Sequence, residues 1–168
     1  MLRKLVHGID ALNHFISSAA MWLILPLTGV LLYDAFMRYF MNAPTIWGME
    51  LGLMIFGAYM ILAGPSSIMQ KVQVGVDIFT GRLRPRARGS LNCVTYVFTL
   101  IFFAGLLYTS TLYALESWQM REFSSSAWGQ PIYHIKALIP VAMLLMLLQS
   151  FAEFLRNLHL ASTGESLS

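Results

Sequence analysis

The residues of this chain whose types and spacing could do chemistry are ionisable side chains inside or beside long apolar stretches. Asp34 and Arg38 end the first stretch, and Glu50 lies just inside the second. Charges at membrane depth are costly and are therefore functional candidates. A proton or cation relay would need a carboxylate near the bilayer centre, whereas these three lie near one face. We therefore predict a structural clamp in which Asp34 and Glu50 share the Arg38 guanidinium; Glu50 facing a partner subunit is the alternative.

Histidines could ligate a haem or a metal ion, but their positions argue against a shared site. His14 and His134 would lie near opposite membrane faces, and His7 and His159 would lie outside the spans. The chain has no Gly-rich phosphate loop and no H-E-x-x-H motif. Its single cysteine, Cys93, excludes paired-thiol chemistry. We predict no enzyme activity, no cofactor and no metal site; a cytochrome-type membrane anchor of a redox enzyme is one alternative.

The composition places these side chains in a membrane protein. The chain has 168 residues, of which 57% are hydrophobic and 11% are charged, whereas about a quarter of a soluble domain is charged. We predict an all-α membrane protein, a single domain over residues 1–168 with four transmembrane helices arranged as two hairpins. At about 20 residues a span, the apolar stretches predict helices at about 15–38, 45–68, 91–115 and 133–155.

Several residues within these spans predict how the helices bend and pack. Pro26 predicts a kink in the first span. Gly48 and Gly52 form a G-x-x-x-G pair, which lets a neighbouring helix approach closely. Tryptophans are enriched where membrane meets water, and three tryptophans near span ends are predicted interface anchors: Trp47, Trp118 and Trp128.

The loop between spans two and three has an amphipathic pattern at about residues 71–84. At roughly 100° per residue, four apolar side chains fall on one helical stripe: Val72, Val76, Phe79 and Leu83. Polar residues, Asp77 among them, occupy the rest of the circumference. We predict a short interfacial helix that lies on lipid or on a partner. The alternative is an ordinary cytoplasmic loop that only sets orientation.

The distribution of positive charge predicts the orientation. Eight Lys and Arg residues belong to the two ends and the central loop, and three belong to the two other loops. Because positive residues favour the cytoplasmic side, we predict that both termini are cytoplasmic. The net charge of +3 does not indicate nucleic-acid binding, since most of it collects in the central loop beside the membrane. Four arginines there set the orientation: Arg82, Arg84, Arg86 and Arg88.

Short motifs in a fixed order carry a family resemblance. They are Arg38-Tyr39-Phe40-Met41-Asn42-Ala43-Pro44, then Trp47, then Glu50-Leu51, then Val76-Asp77 ahead of the basic loop. Over roughly residues 30 to 90 the chain resembles the small, DctQ-type membrane subunit of tripartite ATP-independent periplasmic (TRAP) transporters. Two positions depart from the family pattern: Met49 stands where a second acid is common, and Gln73 where a histidine is common.

The resemblance implies a role and a set of partners. Family members work beside a large membrane subunit, which carries the substrate and sodium sites in an elevator-type mechanism, and with a periplasmic binding protein. The chain would brace the large subunit in the bacterial inner membrane, contact lipid and help receive the binding protein, for a substrate among organic acids. An autonomous small exporter is the other alternative, for which a homodimer and a central carboxylate would be expected.

Overall fold

The computed structural model describes residues 2–69 and 85–164, and in these ranges the chain is helical with short connections. Five helices follow one another within these ranges: α1 (Leu2–Met21), α2 (Ile24–Phe40), α3 (Gly48–Met69), α4 (Pro85–Gln119) and α5 (Tyr133–Thr163). The described residues form no strand, and a single isolated β-bridge pairs Phe123 with Pro131. The all-α prediction is confirmed.

The described helices provide four segments that are long and apolar enough to cross a membrane, as predicted. They are Arg3–Phe40, which combines α1 and α2, then Gly48–Met69, Ala87–Gln119 and Tyr133–Thr163. The predicted interfacial segment, with Val72, Val76, Asp77, Phe79 and Leu83, lies outside the described residues, as do Arg82 and Arg84. Arg86 and Arg88 belong to the first turns of α4.

The first spanning segment is interrupted between α1 and α2 because of Pro26. Proline has no N–H to donate to the carbonyl four residues earlier, and its ring crowds that carbonyl. Here that carbonyl belongs to Trp22, and it accepts instead from the N–H of Leu25 at 3.3 Å. Trp22 and Leu23 form a turn, so the predicted kink is found one helical turn before the proline.

Glycines bring α3 close to its neighbours. A Cβ added at Gly52 would lie 3.0 Å from Leu31 of α2, and one at Gly48 would lie 2.9 Å from the Cβ of Asp34. Further along α3, a Cβ at Gly64 would overlap the side chain of Met146 in α5. The G-x-x-x-G pair therefore packs against α2, as predicted, and a third glycine seats α3 on α5.

Helix α5 is the centre of the bundle, since it packs against α1, α3 and α4. Its buried apolar residues include Ala142, Leu145 and Ala152. Helix α4 forms its principal contact along α5, where a Cβ at Gly89 would lie 2.7 Å from the backbone nitrogen of Ala161. The chain thus forms two hairpins that meet at α5. We call the end with the α2–α3 and α4–α5 connections the turn end, and the opposite one the terminal end.

Candidate functional site

The carboxylate of Asp34 joins α2 to the start of α3 at the turn end. Its Oδ2 accepts a hydrogen bond from Nη2 of Arg38, one turn later in α2, at 2.8 Å. Its Oδ1 accepts from the backbone N–H of Thr45 at 3.3 Å and also from the Thr45 hydroxyl. Gly48 leaves room for this arrangement, because a Cβ there would lie 2.9 Å from Oδ1. Asp34 is accordingly buried.

Glu50 does not join this pair, although the sequence predicts that it shares the guanidinium of Arg38. Its Oε2 instead accepts from the hydroxyl of Ser126, in the α4–α5 loop, at 2.7 Å. The reason is helical geometry. Gly48 faces α2, and Glu50, two residues later, projects about 200° further around the helix axis and so points away from α2. The predicted clamp of three residues is therefore wrong. Asp34 pairs with Arg38 alone, and Glu50 connects α3 to the α4–α5 loop.

The α4–α5 loop is folded, and its fold holds Ser126 in place. The N–H of Ser124 donates to the carbonyl of Gln130 at 2.8 Å, and the N–H of Ile132 donates to that of Glu122 at 3.1 Å. Gly129 takes a left-handed conformation, with φ of 62°, which glycine adopts without steric cost. The Gly129 N–H lies 3.4 Å from the Ser126 hydroxyl oxygen and donates to it.

An ion pair anchors the other side of this loop. Oε2 of Glu122 accepts from Nζ of Lys136 in α5 at 2.5 Å and from the hydroxyl of Ser117 in α4 at 2.7 Å. These hydrogen bonds hold the pKa of Glu122 below its usual range, and the one from Lys136 has the largest effect. The loop is thus tied to α3, α4 and α5. We call the residues that make these ties the loop platform: Glu50, Ser117, Glu122, Ser126 and Lys136.

The three tryptophans predicted as interface anchors all lie at the turn end. Trp47 stacks on Tyr33 of α2, with ring centroids 5.7 Å apart. Trp118 meets Tyr133 of α5 edge to face at 5.0 Å. Trp128 lies in the α4–α5 loop, and its side chain is exposed. Their role as membrane anchors stays a prediction.

A second polar cluster, which the sequence analysis missed, lies at the terminal end between α1 and α5. The Asn13 amide donates to Oε1 of Gln149 at 2.6 Å, and Nε2 of Gln149 donates to Oδ1 of Asp10 at 2.9 Å. Asn13 and Gln149 are completely buried. The guanidinium of Arg156 pairs with both Asp10 and Glu153. This cluster fixes α1 to α5.

The terminal-end cluster extends to α4. Nδ2 of Asn92 donates to Oδ1 of Asn157 at 2.9 Å, and Nδ2 of Asn157 donates to the backbone carbonyl of Glu153 at 2.8 Å. The spacing of Gln149, Glu153 and Arg156 puts polar groups on one face of an otherwise apolar helix. That spacing is the signal in the sequence that could have revealed the cluster.

These arrangements hold the helices together. No three His, Cys, Asp or Glu side chains within residues 2–69 and 85–164 are grouped so that they could hold a metal ion. By their position along the helices, the charged residues of the described helices lie towards the two ends of the bundle. The molecule is a multi-span helical membrane protein whose ionic groups connect its helices.

The family follows from comparison with known proteins. The model of the family described as tripartite ATP-independent periplasmic transporters, DctQ component, matches residues 27–160. The chain belongs to this family of transporter components, as its motifs predict, and is a multi-pass protein of the bacterial inner membrane. No curated protein matches the chain.

Proposed function

We propose that the chain is the small membrane subunit of a sodium-coupled TRAP carrier for organic acids, where it braces the large subunit and helps dock the binding protein. The observation that carries this proposal is the bridge between Glu50 and Ser126 at 2.7 Å. It joins the two hairpins through a folded loop and so forms a fixed surface at the turn end. Rigid placement of a surface is what a docking scaffold requires.

The orientation supports this assignment of the turn end. The eight-to-three division of positive charge favours cytoplasmic termini, which directs the turn end towards the periplasm, where a soluble binding protein acts. Large apolar side chains are exposed there: Tyr39 by 81%, Phe40 by 77% and Met120 by 70%. Exposed apolar groups of this size are typical of protein or membrane contacts.

Co-purification and uptake test the proposal. The tagged chain should retain the large membrane subunit of the same transporter in mild detergent. Proteoliposomes with both membrane subunits and the binding protein should take up an organic acid under a sodium gradient, and vesicles with this chain alone should not. A chain that retains no large subunit, or that transports by itself, would contradict the proposal.

Variants of the bridge test the docking role separately. Glu50→Ala and Ser126→Ala should each weaken capture of the binding protein by the assembled complex while the large subunit is retained. Because the two residues share one hydrogen bond, the double variant should lose less than the sum of the two. Ser125→Ala, at an exposed neighbouring serine, is the matched control. Full capture by both single variants would remove the docking role.

A further inference from the structure

A cavity of about 350 Å³ lies between α4 and α5 in the half of the bundle near the turn end. A volume of this size is within the range of small-molecule sites. The lining residues include Leu106, Ser110 and Tyr113 of α4 and Lys136, Ile139 and Met143 of α5. Tyr113 is 70% exposed, so the cavity opens to the surroundings of the bundle on the side of this ring.

The cavity extends from the membrane boundary through most of one leaflet. Lys136 is the last charged residue before an uncharged stretch, 137–152, and therefore marks the boundary. From Lys136 to Met143 in α5, and from Tyr113 to Leu106 in α4, the lining covers about 10 Å at 1.5 Å per residue. One leaflet accounts for about 15 Å of the hydrocarbon layer. This depth suits an acyl chain that enters from the turn end.

The same two helices are in close contact towards the terminal end. A Cβ at Gly89 would lie 2.7 Å from the backbone nitrogen of Ala161, and the Asn92 amide donates to Asn157 at 2.9 Å. A partner helix that crosses the bilayer would need a groove along both halves of the membrane. A phospholipid needs a cavity in one half alone, below a site for its headgroup. The extent of the cavity therefore favours a lipid.

The wall of the cavity offers mainly apolar groups. The Ser110 hydroxyl donates to the carbonyl of Leu107 at 3.1 Å, and the hydroxyl of Thr109, which also lines the cavity, donates to that of Gly105 at 3.1 Å. Because these hydroxyl protons are used within α4, a ligand meets chiefly methyl, methylene and ring groups. Hydrocarbon is the chemistry that such a wall accommodates without loss of hydrogen bonds.

A pair of opposite charges lies at the turn-end mouth of the cavity. Lys136, which lines the cavity, donates from Nζ to Oε2 of Glu122 at 2.5 Å, and the two side chains are 38% and 39% exposed. Both charges are therefore accessible. A lysine ammonium has three N–H donors, so Lys136 can also donate to a phosphate. A zwitterionic headgroup complements this pair, whereas an anionic one would also face the carboxylate of Glu122.

We propose that this cavity binds one phospholipid with a zwitterionic, primary-amine headgroup. An acyl chain fills the cavity between α4 and α5, the phosphate accepts a hydrogen bond from Lys136, and the headgroup ammonium pairs with Glu122. The lipid bridges the two helices where their own contact is interrupted. The site requires the membrane and no protein partner, so it does not depend on the proposed transport function.

Native mass spectrometry tests the proposal on the purified full chain and on its complex with the large membrane subunit. Both are released from detergent after addition of equal amounts of dioleoyl phosphatidylethanolamine and dioleoyl phosphatidylglycerol. Each copy of the chain should retain one molecule of lipid, with phosphatidylethanolamine preferred over the anionic lipid. Glu122→Gln should abolish this preference, because it removes the carboxylate that distinguishes the two headgroups.

Two variants at opposite ends of the cavity test its position. Lys136→Gln should weaken retention of phosphatidylethanolamine about tenfold, as expected for loss of a hydrogen bond to a charged group. Ser110→Phe should abolish retention by filling the cavity. The matched controls are Lys4→Gln, at an exposed lysine of α1, and Thr95→Phe, at an exposed residue of α4 whose hydroxyl likewise donates within its own helix. Both controls should retain lipid like the parent, and the melting temperature of each variant without added lipid shows whether it is folded.

Three results would overturn the lipid site. The first is equal retention of the two lipids by the parent chain, which indicates general contact with the membrane. The second is full retention by a folded Lys136→Gln or Ser110→Phe variant. The third is retention by the chain alone but not by the complex, which would mean that the large subunit covers the cavity.

Discussion

Replacing Gln149 by leucine tests whether the terminal-end cluster stabilises the fold. The side chain is fully buried and connects two residues of α1, Asn13 at 2.6 Å and Asp10 at 2.9 Å. Gln149→Leu keeps most of the volume and removes both hydrogen bonds. Asp10 retains its partner Arg156, whereas the Asn13 amide loses the acceptor of its hydrogen bond.

The magnitude follows from these contacts. Hydrogen bonds between membrane helices contribute about 0.6 kcal/mol on average and about 1.7 at most, and a buried amide left unsatisfied costs about 1–3 kcal/mol. We expect Gln149→Leu to lower the free energy of unfolding by about 2–4 kcal/mol. The double variant Asn13→Leu/Gln149→Leu should recover part of that loss, because it removes the stranded amide as well.

Reversible unfolding in detergent micelles or bicelles measures these differences. Gln119→Leu, at an exposed glutamine at the end of α4, is the matched control and should stay within about 0.5 kcal/mol of the parent, as surface substitutions do. If Gln149→Leu behaves like this control, or if the double variant loses the full sum of its single changes, these hydrogen bonds do not stabilise the fold.

Three further predictions concern the turn end and the orientation. Gly48→Ala should destabilise the chain by about 1–3 kcal/mol, since a Cβ would lie 2.9 Å from Asp34; Gly57→Ala, where a Cβ meets nothing within 4 Å, should be neutral in the same unfolding assay. Because the pKa of Glu122 is lowered, its pairing with Lys136 stabilises the fold fully above the ordinary carboxyl pKa of 4.5, and this stabilisation is lost as the pH falls through the lowered pKa. The melting temperature of Glu122→Gln should therefore decline less on acidification than that of the parent. In a Cys93→Ser background, an impermeant thiol reagent in the periplasm should label Ser125→Cys and leave Thr163→Cys unlabelled. The reverse pattern would mean that the termini lie in the periplasm and would contradict the predicted orientation.

The parts of the fold that the sequence predicts are those set by neighbours along the chain. Four long apolar stretches predict four spans because each is long enough to cross a bilayer. Pro26 predicts the break before α2, and the i, i+4 spacing of Asp34 and Arg38 predicts their ion pair. All three depend on residues within one helix, so no tertiary information is needed.

The parts that escape prediction depend on contacts between distant segments. Ser126, the partner of Glu50, lies 76 residues further along the chain. Asn13 and Gln149 are separated by 136 residues. Nothing local distinguishes Ser126 from its neighbours Ser124 and Ser125, and only the fold of the loop selects it. The sequence could show that α5 has a polar face, but it could not show which helix packs against that face.

The distribution of polar contacts explains how a small subunit could act as a brace. At the turn end, hydrogen bonds connect α2 through Asp34 to Thr45, just before α3, and connect the α4–α5 loop to α3 through Glu50. At the terminal end, Gln149 and Asn157 connect α5 to α1 and α4. Between the two ends, Gly52 and Gly64 let α3 approach α2 and α5 closely. Helices fixed at both ends resist sliding past one another more than helices held by apolar contact alone, because each displacement must break several directional bonds. A subunit built in this way offers a moving partner a surface that keeps its shape.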